Sequence, residues 1–196
     1  ESNGRLMNRS KVLSRTGSAA ATVLVMLSLA VPGWSQWKTN GELLEDAADQ
    51  KTVDGFGAWL IVTDDPEGLF EAWARPPSPD YGPAISMVSS AHRGDVVMAT
   101  VVFSGCAENT DGVCDTSITY TAYFPDGSVY GRHSGTLWSG YPNPGNGHVQ
   151  LSADGLGLKV ELDDPFGTYR VTAGIVDNVS GVEMILETEL SVIEID

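Results

Sequence analysis

The sequence predicts an all-β protein, a single antiparallel β-sandwich of about seven to nine strands. Three observations carry this expectation. Short segments of alternating apolar and polar residues recur along the chain, separated by Gly/Pro/Asn/Asp turns. Helical periodicity never lasts beyond about two turns, short of the length at which a helix is stable by itself. The stretch 155–193 reads as three consecutive antiparallel strands joined by turns. In it Leu156, Leu158, Val160 and Leu162 alternate with polar or small residues. Tyr169, Val171, Ala173 and Ile175 do the same, and Met184, Leu186, Leu190 and Val192 line the last strand.

In chain order, the first 35 residues are set apart. Arg9, Lys11 and Arg15 precede an uncharged apolar run, 19–31, and Pro32, Gly33 and Ser35 follow. Basic, then apolar, then small is the order of a cleaved signal peptide. The run is shorter than the roughly 18–20 residues that cross a bilayer. Met7 reads as the initiator, Ser35 as the last residue removed, and no cysteine follows the run to take a lipid. The protein is therefore expected to be exported, periplasmic or secreted, without membrane insertion in its mature form.

Residues 36–54 read as a polar linker with a short helix over 42–50, and the sandwich as 55–196. Phe56, Ala58, Leu60 and Val62 alternate into a first strand that ends at Asp64-Asp65-Pro66-Glu67-Gly68. Leu69, Phe70 and Trp73 suggest one helical turn. The proline-rich stretch 75–83 forbids a central strand and reads as a covering loop. A short strand is expected over 85–88. Val96–Ser104 is apolar on both faces, as in a central strand. Ile118, Tyr120, Ala122 and Phe124 alternate into a strand, Pro125-Asp126-Gly127-Ser128 turns it, and Val129 begins the return. Pro142-Asn143-Pro144-Gly145 opens an exposed loop, and strand character resumes over 148–151.

The acidic turn Asp163-Asp164-Pro165-Phe166, followed by Gly167-x-Tyr169-x-Val171-x-Ala173, resembles the tyrosine corner of immunoglobulin-like sandwiches. The resemblance implies an immunoglobulin-like fold and gives Tyr169 a structural role, its hydroxyl bonding back to the backbone upstream. The antibody hallmarks are absent: the two cysteines are too close in sequence to join the sheets, and no tryptophan sits centrally on the third strand. The layout is also similar to that of small exported bacterial proteins.

Charge narrows the partners. The chain has 11 basic and 26 acidic residues; without residues 1–35 it keeps seven and 25, a net charge of −18. Such a field repels phosphate backbones and anionic lipid, so nucleic acid is excluded as a partner. Cys106 and Cys114 are the only cysteines. An exported context and the polar loop between them predict a local disulfide.

Catalytic signatures are missing. No Gly-x-Ser-x-Gly elbow occurs, and His92, His133 and His148 lack metal-ligand spacing. The acidic pairs lie where turns favour Asp for backbone reasons. No cofactor is expected. Calcium candidates are Asp64, Asp65, Asp163, Asp164 and Asp177, grouped at one end of the sandwich. Asn109-Thr110-Asp111-Gly112 matches the middle of an EF-hand loop but lacks its first and last ligands, with Ala107 and Ile118 in those places. Candidate binding residues are the loop aromatics Trp73, Tyr81, Tyr130, Trp138 and Tyr141, with Trp138 and Tyr141 favoured because the loop after them offers little to bury them. The reading is a non-enzymatic exported module binding a protein or glycan partner. Its alternatives are a calcium-stabilised structural or surface-assembly subunit, and an enzyme if carboxylates or histidines converge in a cleft.

Overall fold

A computed structural model describes residues 38–39, 42–43, 45–75, 85–145 and 148–194. The signal-peptide reading and Tyr81 lie outside these residues. Lys38–Thr39 (β1) and Glu42–Leu43 (β2) form a two-stranded ribbon. The helix expected over 42–50 is absent: β2 occupies its start, and Gln50 opens the next strand.

One five-stranded sheet contains Gln50–Val53 (β3), Phe56–Thr63 (β4), Val96–Ser104 (β6), Gln150–Leu151 (β9) and Leu156–Lys159 (β10). Its order is β10-β6-β4-β3, with β9 also on β6. The second contains Ser90–His92 (β5), Asp115–Tyr123 (β7), Val129–Ser139 (β8), Gly167–Asp177 (β11) and Glu183–Ile193 (β12), ordered β5-β12-β11-β7-β8. Pairing is antiparallel apart from β5, which runs parallel to β12. Together the two sheets make an all-β sandwich.

The inner faces bury Phe56, Leu60, Phe103, Ile118, Tyr120 and Leu186, among others, between the sheets. Tyr120 is wholly buried, its hydroxyl donating to the Asp154 carbonyl at 2.9 Å; burial pushes its pKa up to about 12. Strand β6 is apolar on both faces because it has two partners. Val97, Ala99, Val101 and Phe103 face the second sheet, whereas Val102 packs outward with Ile61, Leu69 and Leu151. Leu69 belongs to the helix Pro66–Ala74 (α1), which covers that outer face. It is longer than the single turn expected. Pro66 sets its first turn, and the Asp65 carboxylate caps it by accepting from Gly68 N at 2.9 Å.

Three further expectations are corrected. The sandwich begins at Gln50 rather than residue 55, because Asp54-Gly55, both at positive φ (49° and 84°), make the two-residue hairpin that pairs β3 with β4. Residues 85–88 are not a strand; Val88 N bonds the Val62 carbonyl, and strand pairing starts at Ser90. The stretch 155–193 is not one three-stranded run. β10 pairs with β6 in the first sheet, and the 163–166 turn carries the chain across to β11 in the second. Leu162 lies beyond β10 and is 75% exposed.

Candidate functional site

The strand ends define two ends of the sandwich. At the first are the β3–β4 hairpin, the 105–114 connection, the loop after β8 and the β11–β12 hairpin. At the second are the 124–128 turn, the 160–166 crossover and residues 93–95.

At the first end Cys106 and Cys114 form a disulfide, their Cα atoms 6.0 Å apart. The loop between them is closed by Asn109, whose Oδ1 accepts from Asp111 N (2.9 Å) and Val113 N (3.3 Å). The run that resembled part of a calcium loop is thus an Asx turn. The disulfide loop and the loop after β8 are sewn together by backbone. Cys114 N donates to the Tyr141 carbonyl at 2.8 Å, and Gly140 N to the Cys114 carbonyl at 3.0 Å. Asn143 Nδ2 donates to the Cys106 carbonyl (2.7 Å), and Asn143 N to Glu108 Oε1 (2.8 Å). Asp177, buried at the β11–β12 hairpin, accepts from Ala107 N, Val179 N and Ser180 N.

Trp138 and Tyr141 stand on this frame. A β-bulge between Thr116 and Ser117 places one extra residue in β8. Both Leu137 and Trp138 consequently pack toward the core. The Thr116 hydroxyl fills the gap in the ladder, accepting from Trp138 N (2.9 Å) and facing its carbonyl (2.7 Å). The Trp138 ring lies 5.8 Å from Phe103 on one side and 5.0 Å from Tyr141 on the other. Its Nε1 donates to the Pro142 carbonyl at 3.1 Å. Tyr141 remains 60% exposed. The result is an aromatic step with a core-anchored inner ring and an open outer ring.

The other sequence candidates are elsewhere. Trp73 packs into the small core under α1. Tyr130 is at the second end, in a cluster with Phe124 (4.7 Å between ring centroids) and Tyr169 (5.5 Å). Its hydroxyl faces Asp164 Oδ2 at 2.8 Å and the Lys159 carbonyl. Burial, then the bond to Asp164, raises the Tyr130 pKa; burial, then the Asp164 charge, raises that of Tyr169. The Tyr169 hydroxyl donates to the Pro165 carbonyl at 3.0 Å, the bond that the corner motif implied.

The five calcium candidates do not converge, because Asp177 is at the opposite end from Asp163 and Asp164. Three of them are also engaged: Asp65 caps α1, Asp164 holds Tyr130 and Glu161 N, and Asp177 holds three amides. Among the described residues no three His, Cys, Asp or Glu side chains are grouped to hold a metal. His133 faces Asp154 at 3.5 Å rather than His148.

The sequence did not single out Thr116, Glu108 or Asn143 as positioning residues, nor a shallow cleft of about 340 Å³ at the second end. The cleft is lined by Arg93, Leu162, Phe166, Ile193 and Glu194. There the Arg93 guanidinium lies 3.7 Å over the Phe166 ring and donates to the Asp164 carbonyl. No helix among the described residues is long and apolar enough to cross a membrane.

No protein-family model matches the chain, and no curated protein matches it. Solved structures similar to it include a family 123 glycoside hydrolase from Clostridium perfringens, described for glycolipid glycan hydrolysis (8% identity, TM-score 0.41). That match covers 72% of this chain, which spans only 28% of the hydrolase chain. Another is a CARDB domain from Pyrococcus furiosus, solved in complex with di-metal ions (13% identity, TM-score 0.34, covering 76% of this chain and 98% of that domain). At these scores neither match assigns this chain a family or an activity.

Proposed function

We propose that the chain is a non-catalytic, immunoglobulin-like module that acts outside the cytoplasm and binds a protein or glycan partner through the Trp138–Tyr141 step. One observation carries this reading. Tyr141 is 60% exposed although its own loop is hydrogen-bonded to the backbone of both disulfide cysteines. An aromatic ring held in the open by a rigid frame loses little entropy on binding, and it offers contact area with a polar tip. The tyrosine corner supports the immunoglobulin-like assignment, and the disulfide suits an oxidising compartment.

The test compares wild type with Tyr141→Ala in a binding screen against peptides and oligosaccharides, with a thermal melt alongside. The reading expects binding that is lost in the variant while the melting temperature is kept. Ligands that bind both proteins equally would refute it.

A further inference from the structure

The partner's chemistry can be taken further, and this step rests on the reading of Tyr141 as a contact residue. We propose that the Trp138–Tyr141 step receives a cationic protein segment, a Lys or Arg side chain lying over the open Tyr141 ring with its charge among the carboxylates of the same end.

The argument is charge complementarity around an exposed aromatic. Exposed acid surrounds this end outside the loop that carries Tyr141: Asp54 in the β3–β4 hairpin, Glu108 and Asp111 in the disulfide loop, Asp115 opening β7 and Glu183 opening β12. The segments 104–115, 139–145 and 177–183 contain no Lys or Arg at all. Lys51, on β3, has its ammonium engaged by the Ile185 carbonyl at 2.7 Å. Toward the second end cations lie on aromatic rings: Arg93 over Phe166 and Arg170 4.2 Å over Tyr123. The molecule thus already places guanidinium groups on its aromatic faces there, whereas the outer ring at the first end is open to solvent. A Tyr face attracts a cation through its quadrupole, and adjacent carboxylates add attraction and guide the approach. A neutral sugar could donate hydroxyl hydrogen bonds to these carboxylates but gains no charge attraction from them, and an anionic one would be repelled.

The experiment titrates the full chain with a short labelled Lys/Arg-rich peptide at physiological salt, with a Gly/Ser peptide of equal length as the blank. Tyr141→Leu keeps every charge and is expected to weaken binding by about two- to fivefold, the worth of one exposed cation–π contact. Asp111→Lys with Asp115→Lys is expected to weaken it by about tenfold or more. Glu189→Lys with Asp163→Lys makes the same charge change outside this end, and it should alter binding by less than about twofold. Circular dichroism confirms that each variant is folded. Equal losses from both charge-reversed pairs would mean diffuse attraction to an acidic protein and would overturn the proposal, as would absence of peptide binding. If the peptide fails but a neutral oligosaccharide binds in a Tyr141-dependent way, the cationic partner is wrong and the binding surface stands. If neither binds through Tyr141, both readings fall.

Discussion

The two ends of the sandwich use the same residue types for opposite purposes. At the second end Phe124, Tyr130 and Tyr169 turn inward as one cluster, and the two tyrosine hydroxyls are consumed by Asp164 and backbone carbonyls. Arg93 and Arg170 cover neighbouring rings. At the first end Trp138 is anchored on Phe103, but Tyr141 projects outward from backbone fastened to the disulfide, with exposed carboxylates in other segments of that end. The lesson is that an aromatic in a loop is informative only when its hydroxyl and both faces are accounted for. Tyr130 and Tyr141 look alike in the sequence, and the structure gives them different work.

This contrast can be broken by substitution. The largest effect is expected for Trp138→Ala, which removes the ring packed on Phe103 and empties part of the bulge. It should cost about 3 kcal/mol in denaturant unfolding, toward the lower bound for an aromatic truncation because the ring is only half-buried. Next is the disulfide. Replacing Cys106 and Cys114 by Ser should cost about 2–3 kcal/mol from chain entropy across a separation of eight residues. Hydrogen exchange of the Tyr141–Asn143 segment should rise with it. If exchange there is unchanged, the disulfide does not hold the step in place.

Tyr130→Phe leaves Asp164 without its hydroxyl partner and should cost about 1.5–3 kcal/mol at neutral pH, the range for hydrogen bonds to a charged group. It also has a pH signature. The folded state raises the Tyr130, Tyr169 and Tyr120 phenols above their usual value of about 10. An acid with a raised folded pKa contributes stability that is complete below the unfolded value and lost as pH climbs through the folded one. Wild type should therefore weaken above about pH 10, and Tyr130→Phe should flatten that decline in urea titrations taken between pH 9 and pH 11. A decline as steep as wild type would place the alkaline transition elsewhere. The smallest effect belongs to Tyr141→Ala, expected within about 0.5 kcal/mol of wild type because an exposed ring contributes little to folding.

Much of the fold was legible because two-faced burial leaves a plain mark. Val96–Ser104 is apolar at successive positions and proved to be the strand packed on both sides. Met184, Leu186, Leu190 and Val192 alternate, and all four are buried. What escaped was long-range. Nothing in Leu156–Lys159 says which sheet it joins, since period-2 burial is the same in either. The Asp54-Gly55 hairpin was missed and a linker boundary read in its place, because its flank Gln50–Val53 is too polar to announce a strand; Gln50 and Thr52 are buried all the same. For the site, the sequence favoured Trp138 and Tyr141 by the loop after them but could not tell which of the loop aromatics are packed away. Partners as distant as Phe103 and Asp164 decide that question.

The most direct test of the account is a paired measurement on Tyr141→Ala and Tyr130→Ala: a thermal melt and a titration with the Lys/Arg-rich peptide on each. The account predicts that Tyr141→Ala melts with wild type and binds more weakly, while Tyr130→Ala melts several degrees lower and, below its melting transition, binds as wild type does. If Tyr141→Ala lowers the melting temperature as far as Tyr130→Ala does, or leaves binding untouched, the two ends do not differ in the way described and Tyr141 is part of the frame.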